Sequence, residues 1–251
     1  MRVYSALFLS FIFLFACSVR NSSEPQPSKV EVVRVGQGHY QLHVNGKPYV
    51  IQGAGCEFGD VKALAHHGAN SFRTWRTDNG RQSGQEVLDS AQAAGLMVMM
   101  GLDIQRERHG FDYNDPQAVS RQLDYVRAEV LKYRNHPALL AWGIGNELNL
   151  NAQNMKVWDA VNEISKMIHQ LDPNHPTTTM LAGINKKDID YIKIHCSDLD
   201  FIGIQMYGDI VNLQKRLLDA GYDGPYVVSE WGATGHWEVK NTSWGAPIEQ
   251  T

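Results

Sequence analysis

Cysteine is scarce, at three of 251 residues, and no Cys-x-x-Cys pair, His-Glu-x-x-His run or acidic calcium loop occurs. The chain therefore offers no metal-binding motif. Basic charge is scarce as well. Lys and Arg number 23 against 27 Asp and Glu, a formal net charge of −4. With no Lys/Arg block, there is no electrostatic reason to expect nucleic acid as a partner. No apolar run is long enough to span a bilayer comfortably. What is plentiful is apolar and aromatic content. At 43% hydrophobic residues, the chain can bury one large core, which favours a single domain or barrel. Six Trp and ten Tyr suit sugar stacking and ordinary core packing equally.

The one concentrated apolar stretch, residues 6–15, follows Arg2 and reads as a signal-peptide core. Leu14-Phe15-Ala16-Cys17 resembles a bacterial lipobox, so residues 1–17 are expected to be a lipoprotein signal peptide with Cys17 as the lipidated residue. A plain secretory signal is the alternative. Residues 18–29 are rich in Ser, Asn, Pro and Glu and read as a flexible tether. Ser18 after the cysteine leans toward outer-membrane sorting, by resemblance to the usual rule. The expected location is the bacterial cell envelope, at the outer membrane or periplasm, with the membrane a partner through the lipid on Cys17.

From residue 30 the chain is read as one α/β domain reaching 251. Tyr40–Val44, Asn45-Gly46 and Lys47–Ile51 form a hairpin signal, because Asn-Gly supplies two positive-φ residues. Short apolar runs follow at 49–54, 70–75, 97–103, 139–145, 177–182, 201–207 and 225–231. Helical spacing lies between them, as at Asp115 to Tyr133 and Asn154 to Leu171. Asp115-Pro116 looks like an N-cap with proline at the first helical position. This alternation means a parallel sheet covered by helices. No Gly-rich phosphate fingerprint follows the first strand, so a (β/α)8 TIM barrel is favoured over a doubly wound nucleotide fold. The seventh run ends near residue 231 and no eighth follows, so the barrel is expected to lack its eighth strand–helix unit. In that fold Cys56 follows a strand and Cys196 precedes one. They would sit at opposite ends and remain free thiols.

Two glutamates carry the chemistry. Glu147 closes Ala141-Trp142-Gly143-Ile144-Gly145-Asn146-Glu147, and Glu230 lies in Tyr226-Val227-Val228-Ser229-Glu230-Trp231-Gly232. An acid where a buried strand emerges is costly unless it is paired, hydrogen-bonded or used. Barrel catalytic groups sit at the C-terminal strand ends, and those ends carry Cys56 and Glu57, Arg73 and Trp75, Asp103, Asn146 and Glu147, Gln205 and Tyr207, and Glu230. Asp103 is either a substrate contact or a turn former. Trp231, Trp237 and Trp244 either form a sugar platform or pack the rim. Glu57 and His109 are read as non-catalytic rim residues, and His66-His67 as a solvated helix pair.

Trp142–Glu147, preceded by Asn135-His136-Pro137, resembles the fourth-strand motif of clan A glycoside hydrolases. It is closest to the family 2 barrel domain and is also similar to family 5. Ser229-Glu230-Trp231-Gly232 resembles that clan's seventh-strand motif, and Ser71-Phe72-Arg73-Thr74-Trp75 its second-strand motif. The likeness covers roughly residues 40–235. It implies a retaining hydrolase of β-O-glycosidic bonds in oligo- or polysaccharides that needs no cofactor. Glu147 is implied as acid/base and Glu230 as nucleophile. Asn146 would bind the sugar 2-hydroxyl, Arg73 would hold Glu230 ionised, and Tyr207 would hydrogen-bond the nucleophile. Trp75, Trp231 and Asp103 join them as substrate-binding candidates. Retention needs carboxyls about 5–5.5 Å apart, one protonated and one charged. A transglycosylase of the same clan, and an inactive glycan-binding lipoprotein, are the alternatives. The chain is expected to be a monomer, and the sugar and linkage remain open.

Overall fold

Residues 26–233, 239–240 and 243–244 are described by the structure, a computed structural model. The signal segment with Cys17, most of the expected tether, Trp237 and most of the stretch beyond Ala233 lie outside these residues. Three strands open the fold: β1 (Val30–Gly36), β2 (His39–Val44) and β3 (Lys47–Tyr49). They form an antiparallel sheet in the order β1-β2-β3. Asn45 and Gly46 make the β2–β3 turn with φ of 51° and 75°, the left-handed pair that matches the twist of the flanking strands. The sequence predicts only this hairpin. The additional strand β1 pairs Val30 with Val44 and Val32 with Leu42; its valine-rich run ends at Gly36-Gln37-Gly38, the turn into β2, where Gly38 takes φ 66°.

This small sheet is anchored at the end of the barrel where the strands begin. Val30 N–H donates to the Asn174 carbonyl at 2.8 Å. Ser28 Oγ donates to the Pro137 carbonyl at 2.6 Å, and Lys29 Nζ to the Pro173 carbonyl at 2.7 Å. Ser28 is buried, so this end of the expected tether is docked on the barrel.

Seven parallel strands follow: β4 (Gly53–Gly55), β5 (Ser71–Arg73), β6 (Met97–Leu102), β7 (Leu139–Asn146), β8 (Thr177–Ala182), β9 (Phe201–Tyr207) and β10 (Tyr226–Gly232). They pair strictly in sequence order. Between them run helices α1 (Val61–His66), α2 (Gly84–Ala93), α3 (Pro116–Tyr133), α4 (Lys156–Leu171), α5 (Lys186–His195) and α6 (Leu213–Asp219). This is a nearly closed TIM barrel in which β10 and β4, the edge strands of the described sheet, come into contact.

Local chemistry starts the helices where the sequence says. Asp115 Oδ1 accepts from Gln117 N at 2.8 Å with Pro116 at the first helical position. Ser83 and Glu86 form a reciprocal capping box. The main core lies between sheet and helices, around Trp142, Trp158, Val161 and Ile164. A second cluster fills the barrel interior: Met99, Ala141, Met180 and Phe201, with Val32, Ile51 and Val227 packed on it. The polar groups gather above this cluster, at the C-terminal mouth. Cys56 and Cys196 are free thiols.

Candidate active site

The mouth is built by two strand irregularities. Along β7 the register against β8 slips between Gly143 and Asn146. Gly145 takes φ 74° and Glu147 takes φ 52°. The first suits glycine; the second costs a residue with a side chain about 1–2 kcal/mol. This positive φ takes Glu147 out of the extended conformation directly after β7 ends at Asn146. Its backbone is held by a bond from Glu147 N to the Met180 carbonyl at 2.9 Å. In β10 a second slip falls between Val228 and Glu230, setting Glu230 opposite Gln205. Bulges of this kind re-aim a side chain at the rim.

Arg73 joins the two strands. It is 4% exposed. Its Nη1 lies 3.1 Å from Glu230 Oε2 and 3.4 Å from the Ser229 carbonyl. Its Nη2 donates to Asn146 Oδ1, which also accepts from Gln205 Nε2 at 2.6 Å. With that oxygen doubly engaged, the Asn146 amide N–H2 is left to donate elsewhere. The Tyr207 hydroxyl donates to Glu230 Oε1. Both glutamate oxygens therefore accept, the pattern an ionised carboxylate satisfies. The Arg73 guanidinium also stacks on Trp75, 4.8 Å from the ring centroid.

Glu147 has a different environment. Burial, and then the negative charge of Glu230, push its carboxyl above the usual range, against the pull of Arg108, Arg73 and Arg106. Tyr207 is pushed up to about 12, first by burial and then by its bond to Glu230. Burial draws Arg73 down while Glu230 opposes it. The two carboxyls thus feel each other's charge, while their hydrogen-bond partners differ.

A cavity of about 820 Å³ opens at the seam between β4 and β10, lined among others by Arg73, Trp75, Tyr207, Glu230 and Trp231. Trp231 is 64% exposed, a free aromatic face at the rim. Of the residues singled out from sequence, Arg73, Asn146, Tyr207 and Glu230 form one bonded cluster, with Glu147 coupled to it by charge. Asp103 stands apart. It lies 3.9 Å from Arg106 and lines a smaller pocket of about 250 Å³ with Phe111 and Tyr125. Glu57 pairs with Arg76 at 2.5 Å, and His109 is exposed. Trp244 is 79% exposed. Sequence reasoning missed Arg106, Glu107 and Arg108. The charged run Arg106-Glu107-Arg108, three residues after Asp103, was the available signal. Among the described residues, no group of three or more His, Cys, Asp or Glu is placed to hold a metal ion.

A profile of the family described as "Glycosyl hydrolases family 2, TIM barrel domain" matches residues 39–238. The chain is 22% identical over 223 residues to a beta-glucuronidase of Sus scrofa, covering 77% of this chain and 32% of that protein. It is 28% identical over 206 residues to mannan endo-1,4-beta-mannosidase F of Aspergillus clavatus, covering 74% and 44%. It thus spans less than half the length of either relative. Among solved structures, a beta-D-glucuronidase from Dictyoglomus thermophilum superposes with TM-score 0.60 at 19% identity, covering 82% of this chain and 39% of that one. A beta-galacturonidase from Eisenbergiella tayi bound to galacturonate gives TM-score 0.60 at 20% identity, covering 86% and 41%. At such identities these likenesses establish the fold.

Proposed function

The chain belongs to glycosyl hydrolase family 2 through its TIM-barrel domain, and from that premise we propose that it is a retaining glycosidase acting on β-linked sugars. The observation that carries the reading is the contrast between two charge-coupled carboxyls. Glu230 has both oxygens bonded by Arg73 and Tyr207, whereas burial and Glu230 favour the proton on Glu147. Paired carboxyls with environments of this kind divide into acid/base and nucleophile.

In the first step a Glu230 oxygen attacks the anomeric carbon while Glu147 gives its proton to the departing glycosidic oxygen. The sugar is then esterified to Glu230 and the leaving group is free as an alcohol. In the second step Glu147, now a carboxylate, takes a proton from water. The water oxygen attacks the anomeric carbon, the ester bond breaks, and both carboxyls return to their starting states. The Asn146 amide is free to donate to a hydroxyl of the bound sugar, and Trp75 and Trp231 supply aromatic faces for it. The β-linkage rests on relatives named for beta-glucuronidase, beta-galactosidase and mannan endo-1,4-beta-mannosidase activity. Their diversity leaves the sugar to be found by screening.

The experiment is a panel of aryl β-glycosides with Glu147→Ala and Glu230→Ala. Both variants are expected to lose turnover by 10³-fold or more, on the order seen when a member of a catalytic unit is removed. Azide is expected to rescue Glu230→Ala with an α-glycosyl azide as product. Full activity in either variant refutes the assignment.

A further inference from the structure

Three consecutive side chains after β6 hold the segment that carries Glu147. Arg106 Nε donates to the Asn146 carbonyl at 3.1 Å. Glu107 Oε2 accepts from Gln153 N at 2.8 Å and from Asn154 N at 2.9 Å. Arg108 Nη1 donates to the Glu147 carbonyl, and its Nη2 stands 3.7 Å from Glu147 Oε2. The segment so held contains two left-handed residues that are not glycine, Glu147 at φ 52° and Asn151 at φ 56°. Backbone in that region persists only where its surroundings over-determine it. Resting on the reading of Glu147 as acid/base, we propose that Arg106, Glu107 and Arg108 form a clasp that positions this glutamate. Arg108 is the positioning residue for its carboxylate.

The geometry separates Arg108 from the other cations. Charged and titratable groups reach Glu147 from four directions: Arg73 on β5, Tyr207 on β9, Glu230 on β10, and Arg106 with Arg108 on the turn after β6. Arg73 is committed to Glu230 and Asn146. Arg106 is committed to the Asn146 carbonyl and faces Asp103. Arg108 alone among them pairs with the Glu147 carboxylate itself. At 3.7 Å this is an ion pair and not a hydrogen bond. The acid/base carboxyl must carry a proton, release it, and recover it within one turnover. A charge at this range stabilises the released state without occupying the oxygen that the proton needs. The bond from Nη1 to the Glu147 carbonyl keeps the guanidinium at that range, which a flexible ammonium would not do.

The test is Arg108→Gln, with Arg108→Met, which keeps the apolar stem, as the second variant. Removing the positive charge makes Glu147 hold its proton to higher pH. The basic limb of the kcat/KM profile on an aryl β-glycoside is then expected to move up by about one pH unit. Arg108→Lys is expected to bring the limb back toward wild type while kcat falls below the wild-type value, because a point charge cannot serve carbonyl and carboxylate together. Titration of protein carrying [δ-¹³C]glutamate, with Glu147 assigned through Glu147→Gln, reads the same upward shift without any turnover. An unmoved limb and an unmoved NMR titration in both charge-removing variants overturn the proposal. If the titration shifts while the wild type cleaves no glycoside, the clasp stands and the glycosidase reading falls. If the wild type is active and neither readout moves, only the clasp falls.

Discussion

Arg73→Met is the perturbation with the widest reach in the site. The guanidinium is buried and serves three oxygens: Glu230 Oε2 at 3.1 Å, the Ser229 carbonyl at 3.4 Å, and Asn146 Oδ1. Methionine keeps the apolar stem and removes every donor, together with the cation stacked on Trp75. A hydrogen bond to a charged group contributes about 1.5–3 kcal/mol. Glu230 has a side chain 26% exposed, so solvent screening puts its share at the low end of that range. Adding the bond lost to the Asn146 oxygen, which Gln205 still holds, gives about 3 kcal/mol of lost organisation at the transition state, or roughly 10²-fold in kcat/KM. The assay is steady-state hydrolysis of the best aryl β-glycoside, with circular dichroism verifying the fold at the assay temperature. Arg73→Lys is expected to recover less than tenfold, since one ammonium cannot reach oxygens on two strands as a planar fork does. A folded Arg73→Met enzyme within threefold of wild type refutes the reasoning.

Two further outcomes follow from the site and the chain. Because the folded-state pKa of Glu147 is raised by burial and by Glu230, its protonated form favours folding. That contribution is complete below the unfolded value and is lost as pH rises through the folded value. Glu147→Gln, permanently neutral, is therefore expected to melt close to wild type near pH 4 and progressively above it toward pH 7. A Tm difference that does not grow with pH contradicts the burial argument. At the N-terminus, Cys17→Ser is expected to abolish incorporation of labelled palmitate by cells expressing the full chain. Equal labelling of the wild type and the variant removes the lipid anchor from the account.

The barrel was legible because its strands are short apolar runs punctuated by cap and turn residues. Asp115-Pro116 and Asn45-Gly46 start and turn the chain where their stereochemistry requires. Strand β1 went unpredicted although Gly36-Gln37-Gly38 marks the turn that ends it. Its pairing with β2 is local, across Gly36-Gln37-Gly38, but its docking against Pro173, Asn174 and Pro137 involves partners far away in sequence. The two glutamates were legible from buried runs ending in acids, and Arg73, Asn146 and Tyr207 from motif likeness. The bonds among them, such as Gln205 and Arg73 converging on one Asn146 oxygen, depend on register slips in β7 and β10 that no local pattern announces. The Arg106–Arg108 turn was hidden for another reason. A charged run reads as a solvated loop until the fold places it against a strained backbone.

The central claim is that Glu230 is the group that becomes bonded to the sugar. A 2-deoxy-2-fluoro aryl β-glycoside slows the second step and lets that ester accumulate. Incubation followed by proteolysis and mass spectrometry is expected to find the fluorosugar on the peptide containing Ser229-Glu230-Trp231, with none on the same peptide in Glu230→Gln. An adduct on another carboxylate, or hydrolysis that inverts the anomeric configuration with no adduct at all, contradicts the account.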